Sequence, residues 1–182
     1  NLSLKGNAST RTILSQVDDE TGLLEDSISL GSAAAMHYYD EAHRVTYTRE
    51  ASVAGPRGDL TGDIVHLFLK SDNKTLDRIV ASGSAQLLRP GQLVSGDRLI
   101  YHDADGRYEM SGEPVRIIEE VKEEEFEDEV QSEPLEEEIL PTRCRETTGR
   151  TLTFFITADD VSVDGQAEAR TETASGECPE LM

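Results

Sequence analysis

The sequence predicts an all-β chain. Three observations carry that reading: apolar and polar residues alternate with a period of two, turn chemistry recurs along the chain, and a repeat returns about every 31 to 34 residues. Alternation runs through Val45-Thr46-Tyr47-Thr48, Val65-His66-Leu67-Phe68-Leu69 and Val161-Ser162-Val163, the pattern of a strand with one buried face. Helical periodicity is hard to find. Between the strands lie Asp40-Glu41-Ala42-His43, Gly55-Pro56-Arg57-Gly58, Ser71-Asp72-Asn73-Lys74, Arg89-Pro90-Gly91 and Asp103-Ala104-Asp105-Gly106, residue types that favour chain reversal.

Two segment types alternate along the chain. The first reads Leu60-Thr61-Gly62-Asp63-Ile64-Val65-His66-Leu67-Phe68-Leu69 and returns from Val94 to Asp103, with weaker copies starting at Gly31 and at Thr148. The second reads Ile79-Val80-Ala81-Ser82-Gly83-Ser84-Ala85 and returns from Tyr108, Leu2, Val161 and Val45, the last with Arg49 in the glycine slot. Gly31 to Gly62 is 31 residues and Gly62 to Gly96 is 34; Gly96 to Gly149 is 53, or 33 once a 20-residue acidic run is removed. Repeats at such a period indicate a stacked array of strands.

Aligned strands put aligned residues on a common face. From the first type that stripe is Ala34, Met36, Tyr38, Val65, Leu67, Leu69, Leu99, Tyr101, Leu152, Phe154 and Ile156. From the second it is Leu2, Leu4, Val45, Tyr47, Val53, Ile79, Ala81, Leu87, Tyr108, Met110, Val161 and Val163. The glycines fall on this stripe too, where a missing side chain marks a bulge or corner, or widens a groove.

Composition narrows the function classes. With 17 Lys+Arg against 37 Asp+Glu the formal net charge is -20, which argues against nucleic acid as a partner. Trp is absent and aromatics are 5%, so the core is aliphatic and thin. Ala33–Met36 and Phe154–Ile156 are among the longest apolar runs, far short of a membrane-spanning helix. The opening Asn1-Leu2-Ser3-Leu4 reads like the middle of a strand, the mark of a piece of a longer protein. Glu119–Glu138 holds twelve acids against Lys122 alone, a net -11; such a run repels itself and is expected to be a disordered insertion.

Alternating strands of the forms [ST]-G-D-x-L-x-Y-x and x-x-[ST]-G-x-[AP]-x resemble the OstA-like repeats of the lipopolysaccharide transport family, which includes LptA, LptC and the amino-terminal domain of LptD. Thr61-Gly62-Asp63, Ser95-Gly96-Asp97 and Ser82-Gly83-Ser84-Ala85 carry the resemblance. It is best over residues 33–118 and continues over 148–169. It implies a β-jellyroll, two antiparallel sheets meeting in an open V. A single domain is expected over 1–118 and 142–170, with an acidic, disordered insertion at 119–141, longer and more acidic than the family ordinarily carries, and a flexible tail at 171–182. It further implies a periplasmic, non-enzymatic protein that holds lipopolysaccharide acyl chains in an apolar groove. The groove residues expected are Met36, Tyr38, Tyr47, Val65, Leu67, Leu69, Ile79, Leu99, Tyr101, Tyr108, Met110, Leu152, Phe154 and Ile156. Partners expected are other Lpt subunits or a second copy, joined head to tail through the strand edges near Leu2–Leu4 and Val161–Ala169. The net charge opposes binding of phosphorylated headgroups unless divalent cations or an exposed orientation intervene. The alternative is a structural or adhesive secreted β-repeat protein whose stripe is a dry core.

No GxSxG, HExxH, P-loop or dinucleotide motif is present, so no enzymatic activity, cofactor or metal is expected. His37, His43, His66 and His102 fall on different repeats and read as solvent-facing. Asp103-Ala104-Asp105-Gly106 reads as a hairpin turn rather than a calcium loop. Asn7-Ala8-Ser9 and Asn73-Lys74-Thr75 fit the glycosylation sequon, silent in a bacterial protein. Cys144 and Cys178 lack zinc-ligand spacing. If the strands after Thr151 pair as a hairpin about Ala158-Asp159, position 144 lies opposite about 171, and a bond to Cys178 is within reach; two free thiols remain the other reading.

Overall fold

The structure is a computed structural model describing residues 1–17, 23–56, 58–122, 142–155, 161–164, 168–172 and 178. They form one antiparallel sheet. Its strands are β1 (Leu2–Val17), β2 (Leu24–Tyr39), β3 (Arg44–Gly55), β4 (Gly58–Leu69), β5 (Leu76–Arg89), β6 (Gln92–His102), β7 (Arg107–Lys122), β8 (Thr142–Phe155), β9 (Val161–Asp164) and β10 (Glu168–Glu172). Each strand from β1 to β8 pairs with the next, and β8 carries both β9 and β10 on its other side. The first repeat type forms the even strands β2, β4, β6 and β8, and the second forms the odd ones.

The glycine slot turns out to bend the strand rather than end it. Register shifts occur at Lys5/Ala8, Ser32/Ala35, Thr48/Ala51, Thr61/Ile64, Ser82/Ala85, Ser95/Arg98 and Ser111/Val115, in line across the sheet, and β4–β5 has a second at Phe68/Leu69. Bulges of this kind bend a strand and sharpen its twist. In β1, β3 and β5 the bend is made by consecutive residues with positive φ: Gly6-Asn7, Arg49-Glu50 and Gly83-Ser84. Strands expected to be short are therefore 11 to 16 residues long from β1 to β8, and each crosses the bend.

The bend divides the sheet into two arms. The tyrosine arm holds 2–5, 35–39, 44–48, 64–69, 76–82, 98–102, 107–111 and 151–155. The glycine arm holds 8–17, 24–33, 51–55, 58–62, 85–89, 92–96, 115–122 and 142–149. Their inner faces close on each other and share one hydrophobic core. At a far corner Ser15 of β1 meets the β4–β5 turn, where its N–H donates to the Lys74 carbonyl at 3.1 Å. The β4–β5 turn is itself held by Asp72, whose carboxylate accepts from Lys74 N, Thr75 N and Thr75 Oγ1 at 2.9, 2.8 and 2.5 Å.

The repeat beginning at Gly31 is corrected by two residues. Met36 and Val65 both face Tyr47, so Ala33, not Gly31, is the counterpart of Gly62. A two-residue slip leaves side chains on the same face, and Met36 and Tyr38 keep their place. Ala34 does not: it is half-buried at the bend, opposite the bulges of β1 and β3. β7 runs to Lys122, into the start of the acidic run, and β10 to Glu172; residues 123–141, Ile156 and the turn at Ala158-Asp159 lie outside the described residues.

Candidate functional site

Two rows of residues cross the tyrosine arm from edge to edge. One runs Leu4, Met36, Tyr47, Val65, Ala81, Leu99, Met110, Leu152, Val163. The other runs Leu2, Tyr38, Val45, Leu67, Ile79, Tyr101, Tyr108, Phe154, Val161. Twelve of the fourteen groove residues expected from sequence stand in these rows; Leu69 is buried opposite Leu76. Ile156 lies outside the described residues, and Phe154 is placed by its backbone alone.

The glycine arm supplies the facing wall. Just past the bend its inner positions are small on every strand but β7: Ala8, Ala33, Ala51, Gly62, Ala85, Gly96 and Gly149, with Val115 of β7 buried opposite Gly149. Beyond them come Thr10, Gly31, Val53, Leu60, Leu87, Val94, Ile117 and Thr147. Leu60, Val94 and Ile117, all buried, were not read as inward from sequence.

Large residues of one arm fill the hollows left by small ones of the other. The Tyr47 ring lies where a Cβ on Gly31 would sit, and its hydroxyl is 2.6 Å from Thr10 Oγ1. Burial raises the Tyr47 pKa above the ordinary phenol value, with the Thr10 and Thr12 hydroxyls opposing the shift. Tyr101 and Tyr108 pack with ring centroids 4.7 Å apart, and the Arg89 guanidinium crosses from the glycine arm to sit 6.0 Å from the Tyr108 centroid. Tyr38 reaches the rim, where its hydroxyl donates to Asp40 at 3.0 Å; that bond, then desolvation and the Asp40 charge, raises its pKa.

Among the described residues the interior is filled. Val65, Leu99 and Met110 have no exposed surface. Between the arms at the β3–β4 end, Ile79, Tyr101 and Tyr108 face Ser29, Val53 and Leu87 across a cavity of about 30 Å³, space for about two waters and not for an acyl chain. The expected glycine-widened groove is filled at two points, by the Tyr47 ring at Gly31 and by Met110 Sδ, which lies 2.9 Å from where a Cβ on Gly96 would be. Among the described residues, the rows emerge at the β1 edge, with Leu2 and Leu4 at 53% and 37% exposure.

The histidines sit apart from these rows. His66 lies 2.9 Å from Thr46 Oγ1, His43 is 2.6 Å from Asn73 Oδ1, and His102 is 3.7 Å from Glu109. Burial, with the Arg44 charge, lowers the His66 pKa. Cys144 and Cys178 are bonded, with Cα atoms 5.7 Å apart. In the ladder Cys144 faces Glu172, one residue from the position the hairpin argument gave.

Comparison with family models and with curated proteins by sequence finds no match. Among solved structures the chain is similar to LptH of Pseudomonas aeruginosa, described as the LptA-homologous periplasmic component of the lipopolysaccharide transport device. The TM-score is 0.57 at 12% identity, over 79% of this chain and 94% of that one. The resemblance read from Thr61-Gly62-Asp63, Ser95-Gly96-Asp97 and Ser82-Gly83-Ser84-Ala85 is thus met in three dimensions: the chain has the OstA-like β-jellyroll fold.

Proposed function

We propose that the chain is a non-enzymatic, periplasmic carrier in lipopolysaccharide transport, and that acyl chains enter between the two arms when these part along the bend. The observation that supports this most is the continuity of the two apolar rows, which run unbroken over the whole sheet and reach its β1 edge. An ordinary sandwich core has no need to continue onto an exposed edge. Each methylene moved from water onto such a surface contributes about 0.8 kcal/mol, so several chains of ten or more carbons offset the separation of the arms. The fold shared with LptH supports the same reading. End-to-end strand pairing with a second copy or with related subunits follows from the unpaired β1 edge.

A second reading, a structural β-repeat protein with a dry core, is favoured by the filled interior and its cavity of about 30 Å³. Titration of delipidated protein with fluorescent lipopolysaccharide separates the two. The carrier reading expects saturable binding that Leu67→Asp and Leu99→Asp abolish. Absence of binding by folded wild-type protein establishes the second reading.

A further inference from the structure

The two edges of the sheet are built differently. At one, β1 offers sixteen residues paired to β2 alone, apart from the Ser15–Lys74 bond at its end. At the other, β8 is covered by two fragments: β9 pairs with Thr151–Phe154 and β10 with Cys144–Thr148. Among the described pairs, Gly149 and Arg150 between them have no partner on that side. β9 and β10 occupy the place of an odd-type strand beside β8, and a short edge strand with three charges in five residues, Glu168, Arg170 and Glu172, is a blunted edge.

The alternation of strand types limits what can join this edge. Every pairing from β1 to β8 sets an odd-type strand beside an even-type one. β1 is odd, so its fitting neighbour in another copy is an exposed even strand. The even strand at this end is β8, which is exposed only when β9 and β10 leave. β1 carries its own bend at Gly6-Asn7, as an odd-type neighbour of β8 requires.

What holds the fragments is covalent. β10 is joined to β9 through residues 165–167, and beyond Glu172 the chain returns to bond Cys144, the residue that faces Glu172. Cys178 is 1% exposed. A strand tethered at both ends rebinds at a high effective concentration and outcompetes an incoming one.

We propose that the Cys144–Cys178 bond is a redox-governed stop on strand addition at the β8 edge, and that the occupant admitted when it opens is β1 of a second copy. The proposal rests on the strand-pairing part of the function proposed above. A dithiol reductant opens the bond: two electrons and two protons convert it to the Cys144 and Cys178 thiols, and the dithiol becomes its own disulfide. β10 then keeps one tether and can be displaced.

The test uses a fluorescent peptide of residues 2–17, titrated by anisotropy with the full chain in oxidised form, in dithiol-reduced form and as Cys178→Ser. The expected result is binding about tenfold or more tighter to the last two forms than to the first. Equal affinity for all three, or tighter binding to the oxidised chain, overturns the stop while leaving strand pairing in place. No binding to any form overturns strand pairing as well. If Cys178→Ser fails to fold, a chain ending at Glu172 replaces it. A reduced chain that loses its strand signal in circular dichroism also overturns the proposal, because the bond then holds the fold and not the edge.

Discussion

The two arms are made of the same strands yet use opposite side chains. On the tyrosine arm the inner face is built from Met36, Tyr47, Leu67, Leu99, Tyr101, Tyr108 and Met110. On the glycine arm, just past the bend, it is built from alanine and glycine with Val115 as the one larger residue, and further out from Leu60, Leu87, Val94 and Ile117. A sheet that folds on itself needs this asymmetry: two large faces would collide at the bend and two small ones would leave voids. The difference teaches that the tyrosine arm carries the apolar surface, while the glycine arm sets how closely it can be covered.

Truncation on the tyrosine arm should produce the largest effect. Leu99→Ala removes a side chain with no exposed surface and should cost about 3 to 4 kcal/mol, measured by urea unfolding. A cost below about 1 kcal/mol would mean that the interior yields where the packing says it is filled.

On the glycine arm the sign of the steric change reverses. Gly31→Ala puts a methyl group into the Tyr47 ring and should cost about 1 to 3 kcal/mol through overpacking. Tyr47→Leu in the same chain should remove most of that penalty, so the two changes are coupled in a double-mutant cycle. Additive effects would show that the ring does not bridge the arms.

The smallest effect sharpens the comparison at the corner where β1 meets the β4–β5 turn. Hydrogen bonds from Thr75 Oγ1 and from the Lys74 and Thr75 amides hold the Asp72 pKa down to about 2 from 3.8. A depressed carboxylate stabilises above its unfolded pKa and loses that contribution as pH falls through its folded one. The melting temperature should therefore drop between pH 4 and pH 2, and Asp72→Asn should flatten that part of the profile. An unchanged profile in the variant would place the acid sensitivity elsewhere.

How much of this was legible in sequence depended on what a bulge does to the period of two. In β3 and β5 the inward residues on both sides of the bend share parity: Val45, Tyr47, Ala51, Val53, and Ile79, Ala81, Ala85, Leu87. A single alternating pattern therefore found Val53 and Leu87. In β4 and β6 parity flips across the bend, from Leu60 and Gly62 to Val65 and Leu67, and from Val94 and Gly96 to Leu99 and Tyr101. The same pattern left Leu60 and Val94 off the apolar stripe, so that part of the facing wall was missed. The signal was there as an apolar residue two before each glycine. The expected groove was open because alternation shows which face is apolar and not how near the other face comes. That distance is set by the fit of Tyr47 against Gly31, two residues on different strands. The disulfide was legible as a possibility, since hairpin register placed Cys144 near residue 171, but the choice between a bond and two thiols rested on how the chain returns beyond Glu172.

The central claim is that lipid enters between the arms, against the rows of the tyrosine arm. A photo-crosslinking residue placed at Leu99, on the inner face, and at Ile100, its outward neighbour in β6, tests it most directly when each protein is irradiated with lipopolysaccharide. The account predicts a lipopolysaccharide adduct from position 99 and little or none from position 100. Adducts of equal yield from both positions, or from position 100 alone, would contradict it.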